Sequence, residues 1–260
     1  MTKTITMPTK QIVCLILFFL CYSVIASAQT KVNAREIEKR IKAGEDVSYK
    51  NVTITGVLDM TPMREALPDL PKKKKWNNNN NTIEDRLEGK VSFINCTFEN
   101  HVYAYYNDDN IDHTDGDSHY TFVSHFEEEV IFKDCHFKRR AWFKYSKFDE
   151  KTDFSGTVFE DSSTFKYSQF DKEASFADTH FEEDNTFKYS EFDRHVSFEN
   201  AIFGEDAIFK YTKFRKGTSF KNTTFKDDLD FKYTEFRGPF DDENMTVRGR
   251  MDTKYTNYYK

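Results

Sequence analysis

The four residues Phe-Lys-Tyr-Ser or Phe-Lys-Tyr-Thr return at positions 143, 165, 187, 209 and 231, always 22 residues apart. An interval of fixed length commits a chain to a repeat architecture, in which one structural unit stacks on copies of itself. The phenylalanines inside the interval are periodic too. From Phe126 they fall at 132, 137, 143, 148, 154 and 159, and continue to 236 with gaps that alternate between six and five. Neither the period of a helix nor the alternation of a long strand produces this series. A coil with four short sides does, because it places one Phe at the centre of each side.

The residue two before each Phe supports the same geometry. Val130, Cys135, Ala141, Ser146, Thr152 and Thr157 begin a series that stays small or β-branched except at Asn185 and Leu229. Residues two apart on an extended strand share a face, so the small residue and the Phe point inward together. The composition agrees with one core solution used many times: 27 Phe and 14 Tyr stand against 9 Gly and 5 Pro. With 38 basic and 44 acidic residues interspersed, the charge does not suit a nucleic-acid binder.

A small residue, a polar residue, Phe, then two polar residues is a pattern that resembles the pentapeptide-repeat family. The resemblance runs from Ser124 to Phe236 and more weakly reaches back through residues 91–93 and 96–98. It implies an all-β fold, a right-handed quadrilateral parallel β-helix or solenoid. Two departures stand out: every second side carries an extra residue, as in residues 148–154, and the second motif position is often neither Asp nor Asn. Left-handed hexapeptide helices are excluded by the five-residue steps. Polysaccharide-lyase helices have three unequal sides and need a localised catalytic cluster, which no rung of this repeat supplies. No catalytic residue, metal or cofactor is therefore expected, and the chain is not expected to be an enzyme.

The flanks read differently. Lys3 and Lys10, the apolar run 12–20 and Ala26-Ser27-Ala28 have the layout of a signal peptide over residues 1–28, which implies an exported, periplasmic or secreted protein with no membrane span after cleavage. Residues 29–45 read as a short N-terminal capping α-helix. Asn33 and Glu36 sit as in a capping box, Val32 and Ile37 are spaced as a staple, and Gly44 is placed to end the helix. The β-helix is expected over 46–240, with loop excursions at about 61–89 and 105–120. Gly238-Pro239 predicts its end, and the tail 241–260, with Tyr255, Tyr258 and Tyr259, is expected to cover the last coil or to mediate an end-to-end homodimer. Cys96 and Cys135 each lie two residues before a Phe and are expected to be buried thiols that fill the core.

Two stretches invite a chemical reading. The loop 107–119 concentrates Asp108, Asp109, Asp112, His113, Asp115, Asp117 and His119, but its spacing fits no EF-hand, and it is read as a solvated acidic loop. The repeat itself aligns Lys144, Lys166, Lys188, Lys210 and Lys232 in one outer column and Tyr145, Tyr167, Tyr189, Tyr211 and Tyr233 in the next. Such a stripe suits a sulfated, phosphorylated or sugar polymer, or a protein, through charge and ring faces. Duplication with aromatic self-stacking accounts for the same pattern without a ligand. The expected function is a non-catalytic exported scaffold or binding protein. The alternative comes from the resemblance, since some pentapeptide-repeat proteins imitate DNA and protect topoisomerases. An export signal and a lysine ladder both weigh against it.

Overall fold

The computed structural model describes residues 29–69, 81–107 and 120–259. The expected signal segment, the lysine run 72–75 and the acidic stretch 108–119 lie outside the described residues. Four parallel sheets wind into a right-handed, four-sided β-helix, each sheet taking one strand from every coil. In the first coil side 1 is Val47–Lys50, side 2 Val52–Thr55, side 3 Leu58–Asp59 and side 4 Thr82–Leu87. In-register pairing then sets Phe126, Phe148, Phe170, Phe192, Phe214 and Phe236 one above another on side 4.

The core consists of four such columns of buried Phe. On side 3, Phe143, Phe165, Phe187 and Phe209 stack with centroids 5.0–5.2 Å apart and planes within 8°. Phe231 breaks the series, tilted 52° from Phe209. Side 1 faces side 3 across the core, and its rings wedge between theirs edge to face. Phe176 lies 5.2 Å from Phe165 and 5.1 Å from Phe187, with both planes at 80°. Offset stacking within columns and T-shaped contact between them are the two arrangements that the ring quadrupole favours.

The small residue before each Phe has a further role on sides 2 and 4, where it is usually a hydroxyl. Ser168 Oγ donates to the Phe143 carbonyl at 2.6 Å, and Thr212 and Thr223 do the same to Phe187 and Phe198 at 2.7 Å. Each bond satisfies a buried carbonyl of the preceding coil where the chain turns a corner. Cys96 and Cys135 occupy this ladder, their Sγ 3.6 and 3.4 Å from the carbonyls of Tyr49 and Phe93, and both are buried free cysteines. On side 3 the exception Asn185 donates its Nδ2 to Ser163 Oγ one coil above, at 2.6 Å, while its buried Oδ1 has no hydrogen-bond partner among the described residues.

The N-terminal end is closed by the helix Ala34–Lys42. Asn33 accepts from the Arg35 N–H at 2.9 Å, and Gly44, at φ 73°, ends the helix with bonds from the Gly44 and Glu45 N–H groups to the carbonyls of Ile41 and Arg40. That pair of bonds is a Schellman motif. Ile37 and Ile41 are buried on the first coil. Just before the helix, Thr30–Asn33 adds a parallel strand on Val52–Thr55, which the sequence reading did not anticipate.

Three expectations are corrected. The excursion placed at 61–89 ends earlier, because Thr82–Leu87 is the fourth side of the first coil and pairs in parallel with Thr121–Phe126. The second excursion is not all loop: Tyr105–Asn107 pairs antiparallel with that same strand. The tail 241–260 is not a separate segment, since residues 240–259 form another coil whose strands pair with the coil before on all four sides. Pro239 does not stop the ladder because the bond required there uses its carbonyl, which accepts from the Thr218 N–H at 2.9 Å. The repeat had faded from view because Asp242, Val247, Thr253 and Tyr258 take the positions that Phe holds in earlier coils.

Phe187 touches rings above, below and across the core, so Phe187→Ala is expected to lower stability by about 3–5 kcal/mol. Equilibrium denaturant unfolding measures this, and an unchanged midpoint would remove Phe187 from the core.

Candidate functional site

Between sides 3 and 4 the chain turns a corner at Lys144-Tyr145-Ser146 and at the same position of each later coil. The turn is held by an N–H bond from Ser146 to the Phe143 carbonyl at 3.1 Å, repeated from Ser168 to Phe165 at 3.0 Å. It requires a left-handed residue, and Tyr145, Tyr167, Tyr189, Tyr211, Tyr233 and Tyr255 have φ between 56° and 63°. The diagonal corner, between sides 1 and 2, makes the same demand and meets it with other residues: Asn95, Asp134, Gly156, Asp178, Asn200, Asn222 and Asn244. Asn, Asp and Gly are the residue types that adopt this conformation readily, whereas other L-residues are disfavoured by about 1–2 kcal/mol each. Backbone geometry therefore does not explain the tyrosines.

Ring stacking offsets the strain. Successive tyrosines from Tyr145 to Tyr233 lie 4.6–4.8 Å apart with planes within 5°, and Tyr255 extends the stack at 4.8 Å and 22°. Each such contact contributes about 0.5–1.5 kcal/mol, comparable to the cost of the backbone angle. The Asn corner stabilises itself differently, through amide bonds of 3.0 and 3.1 Å along Asn200, Asn222 and Asn244.

The structure brings all ten of the candidate residues into one corner ladder. Lys144, Lys166, Lys188 and Lys210 place Nζ 5.0, 5.1, 5.1 and 5.5 Å from the ring centroid of their own rung. Among the described residues none of these four forms an ion pair, while Lys147, Lys213 and Arg215 on side 4 are each paired with a carboxylate. Lys232 differs from the rest of its column, bound to Asp252 at 2.8 Å. Burial, then the charges of Lys144 and Lys188, hold the Lys166 ammonium below the usual lysine range. At the top of the ladder the second excursion closes over it. Lys144 Nζ donates to Tyr105 Oη at 3.0 Å, and the Tyr105 and Tyr145 rings meet at 5.8 Å.

One element of the sequence reading does not fit this geometry. A sugar ring cannot stack on the tyrosine faces, because neighbouring rungs already cover them at van der Waals spacing. What the ladder offers outward is ring edges, phenol hydroxyls and a file of ammonium groups about 4.8 Å apart. Sequence reasoning also missed the acidic ridge on the adjacent corner, between sides 2 and 3. There Glu183, Asp184, Glu205, Asp206 and Asp227 stack, and the Glu205 carboxyl is raised above its ordinary value, chiefly by Glu183. The repeated acidic pairs that follow Phe181 and Phe203 were the available signal. Among the described residues no group of His, Cys, Asp and Glu is placed to hold a metal ion.

Since the corner accepts Asn without strain, Tyr189→Asn is expected to change stability by no more than about 1 kcal/mol, lost stacking being offset by backbone relief. Denaturant unfolding checks this; a loss as large as that of a core Phe would make the stack a structural necessity.

Comparison with known proteins bears on the fold of the repeat. Neither a curated protein nor a solved structure matches the chain. A family model described as pentapeptide repeats (9 copies) matches residues 124–169 and 165–213. Those residues lie within the coils that carry the columns described above, and over them the four-sided β-helix is similar to the pentapeptide-repeat family.

Proposed function

We propose that the protein is a non-catalytic, exported repeat scaffold that binds an extended anionic polymer along the corner between sides 3 and 4. The carrying observation is the file of four ammonium groups on Lys144, Lys166, Lys188 and Lys210, none of which forms an ion pair among the described residues, on a chain of net charge −6 whose neighbouring side 4 cations Lys147, Lys213 and Arg215 are paired. Neighbouring ammonium groups about 5 Å apart repel by only about 0.8 kcal/mol in water, so the file persists without a ligand. A polyanion removes that repulsion on several rungs at once. The tyrosine edges hold the lysine stems in register, and the phenol hydroxyls supply donors beside the charges. A protein whose anionic groups repeat along an extended segment meets the same surface.

Export rests on the basic, apolar and small-residue layout of residues 1–28 and favours an envelope or extracellular polymer over DNA. The DNA-mimic alternative needs an acidic surface in the cytoplasm, and the lysine file opposes it.

Dextran sulfate is expected to bind and neutral dextran not to, with affinity falling as salt rises because the charges are solvent-facing. The variant Lys166→Gln/Lys188→Gln/Lys210→Gln should lose most of this binding while keeping its fold. Equal binding of both dextrans, or an unaffected triple variant, would refute the proposal. Cell fractionation tests the location separately: the protein is expected in the periplasmic or extracellular fraction, shortened by about 28 residues as the processing signal implies.

A further inference from the structure

The outer face of side 3 changes character along the stack. Its outward positions, paired in register from coil to coil, are Tyr103, Trp142, Thr164, Thr186 and Ile208. Two large aromatics are thus followed by two threonines. Trp142 is the one tryptophan among the described residues, and it stands half-buried outside the columns of core rings.

Its ring contacts are one-sided. Tyr103 lies 5.0 Å from Trp142 with planes at 33°. Tyr103 is itself held by His101, stacked at 5.4 Å, and by Tyr106 at 5.7 Å, so that it ties the second excursion to side 3. This accounts for Tyr103 and leaves Trp142 without a structural reason. On its other side the next rung carries Thr164, a side chain too short to reach the outer part of an indole, and Thr186 beyond it leaves the same space clear. The tyrosine ladder shows the contrast, because there a ring on every rung covers the face of the one before.

Both edges of the indole are bordered by cations. Lys144 follows two residues on, at the corner that bounds side 3, and Lys166 stands one rung along, its N–H donating to Thr164 Oγ1 at 3.2 Å. At the opposite edge the Arg140 guanidinium carbon is 5.7 Å from the indole centroid, near the outer limit of a cation–π contact, and Arg140 Nε lies 3.8 Å from Asp161 Oδ1. An apolar ring face with cations on both edges, a carboxylate and a threonine hydroxyl beside it matches a pyranose that carries negative charge. The C–H face of such a sugar stacks on the indole, its anionic group meets Arg140 or Lys166, and one of its hydroxyls donates to Asp161. A polyanion without sugar rings uses the cations and makes no use of the indole, while an apolar peptide leaves the cations unanswered.

We infer that Trp142 is the stacking platform for an anionic pyranose residue, which makes the polymer held by the lysine file an acidic polysaccharide. This rests on the reading of that file as a polyanion site, and the two fail in different ways.

The test is calorimetric titration of the full chain with polygalacturonate, whose pyranoses carry carboxylates, with dextran sulfate, whose pyranoses carry sulfates, and with poly-L-glutamate, which has carboxylates and no sugar. Trp142→Ala should weaken binding of at least one of the two glycans about three- to tenfold while leaving poly-L-glutamate unchanged. The glycan that responds identifies the anionic group. Thr164→Tyr keeps the indole and covers its open face with a ring, as the tyrosine ladder does, and should cause a loss of similar size. It tests the platform even if Trp142→Ala fails to fold, which circular dichroism verifies. Either folded variant binding both glycans like the wild type overturns the inference and leaves the polyanion reading standing, as does an equal loss for glycans and poly-L-glutamate. Absence of binding to all three polymers overturns both.

Discussion

Parallel strands stacked in register bring every residue over its counterpart 22 positions away at about 4.8 Å, and everything else in this molecule depends on that spacing. It is close to the separation at which aromatic rings stack, so a Phe repeated on each rung becomes a continuous column instead of a set of isolated contacts. The same spacing lets a Ser or Thr hydroxyl reach the carbonyl of the coil before, lets Asn amides bond along a corner, and holds four ammonium groups in file. A single coil has none of these partners, which is why the unit of folding is the stack.

The two left-handed corners show how much freedom that register leaves. Both impose the same backbone conformation, and one is built from Asn, Asp and Gly, which adopt it with little strain. The other uses Tyr, which adopts it at a cost that ring stacking roughly offsets. The position tolerates a choice, and the chain has spent it on a rigid aromatic rail flanked by lysines. For the polyanion proposed above, such an arrangement would lower the cost of binding, because charges already held in file lose little freedom.

The two ends of the β-helix are managed differently. A helix with a left-handed glycine stop covers the first coil. The last coil instead carries Asp, Val, Thr and Tyr in place of Phe, which lowers the apolar character of the end without closing its sheets.

Much of the fold was legible because each Phe and the small residue before it report the same inward face, and because a period of 22 allows few architectures. The capping helix was legible from Asn33, Ile37, Ile41 and Gly44 for the same reason: each signal is local. The coil at 240–259 was hidden because its inward residues are not Phe, and Thr82–Leu87 because a polar strand takes its place from the pairing partner Thr121–Phe126. At the candidate site, the alignment of the Lys and Tyr columns followed from the period alone. That the rings cover one another's faces, that Lys232 is paired while its neighbours are not, and that a second corner needs the same angle without using Tyr were decided by tertiary structure. Sequence spacing determines which residues recur on a given rung, but whether a ring face or an ammonium is left free depends on what the neighbouring rungs and corners place against it.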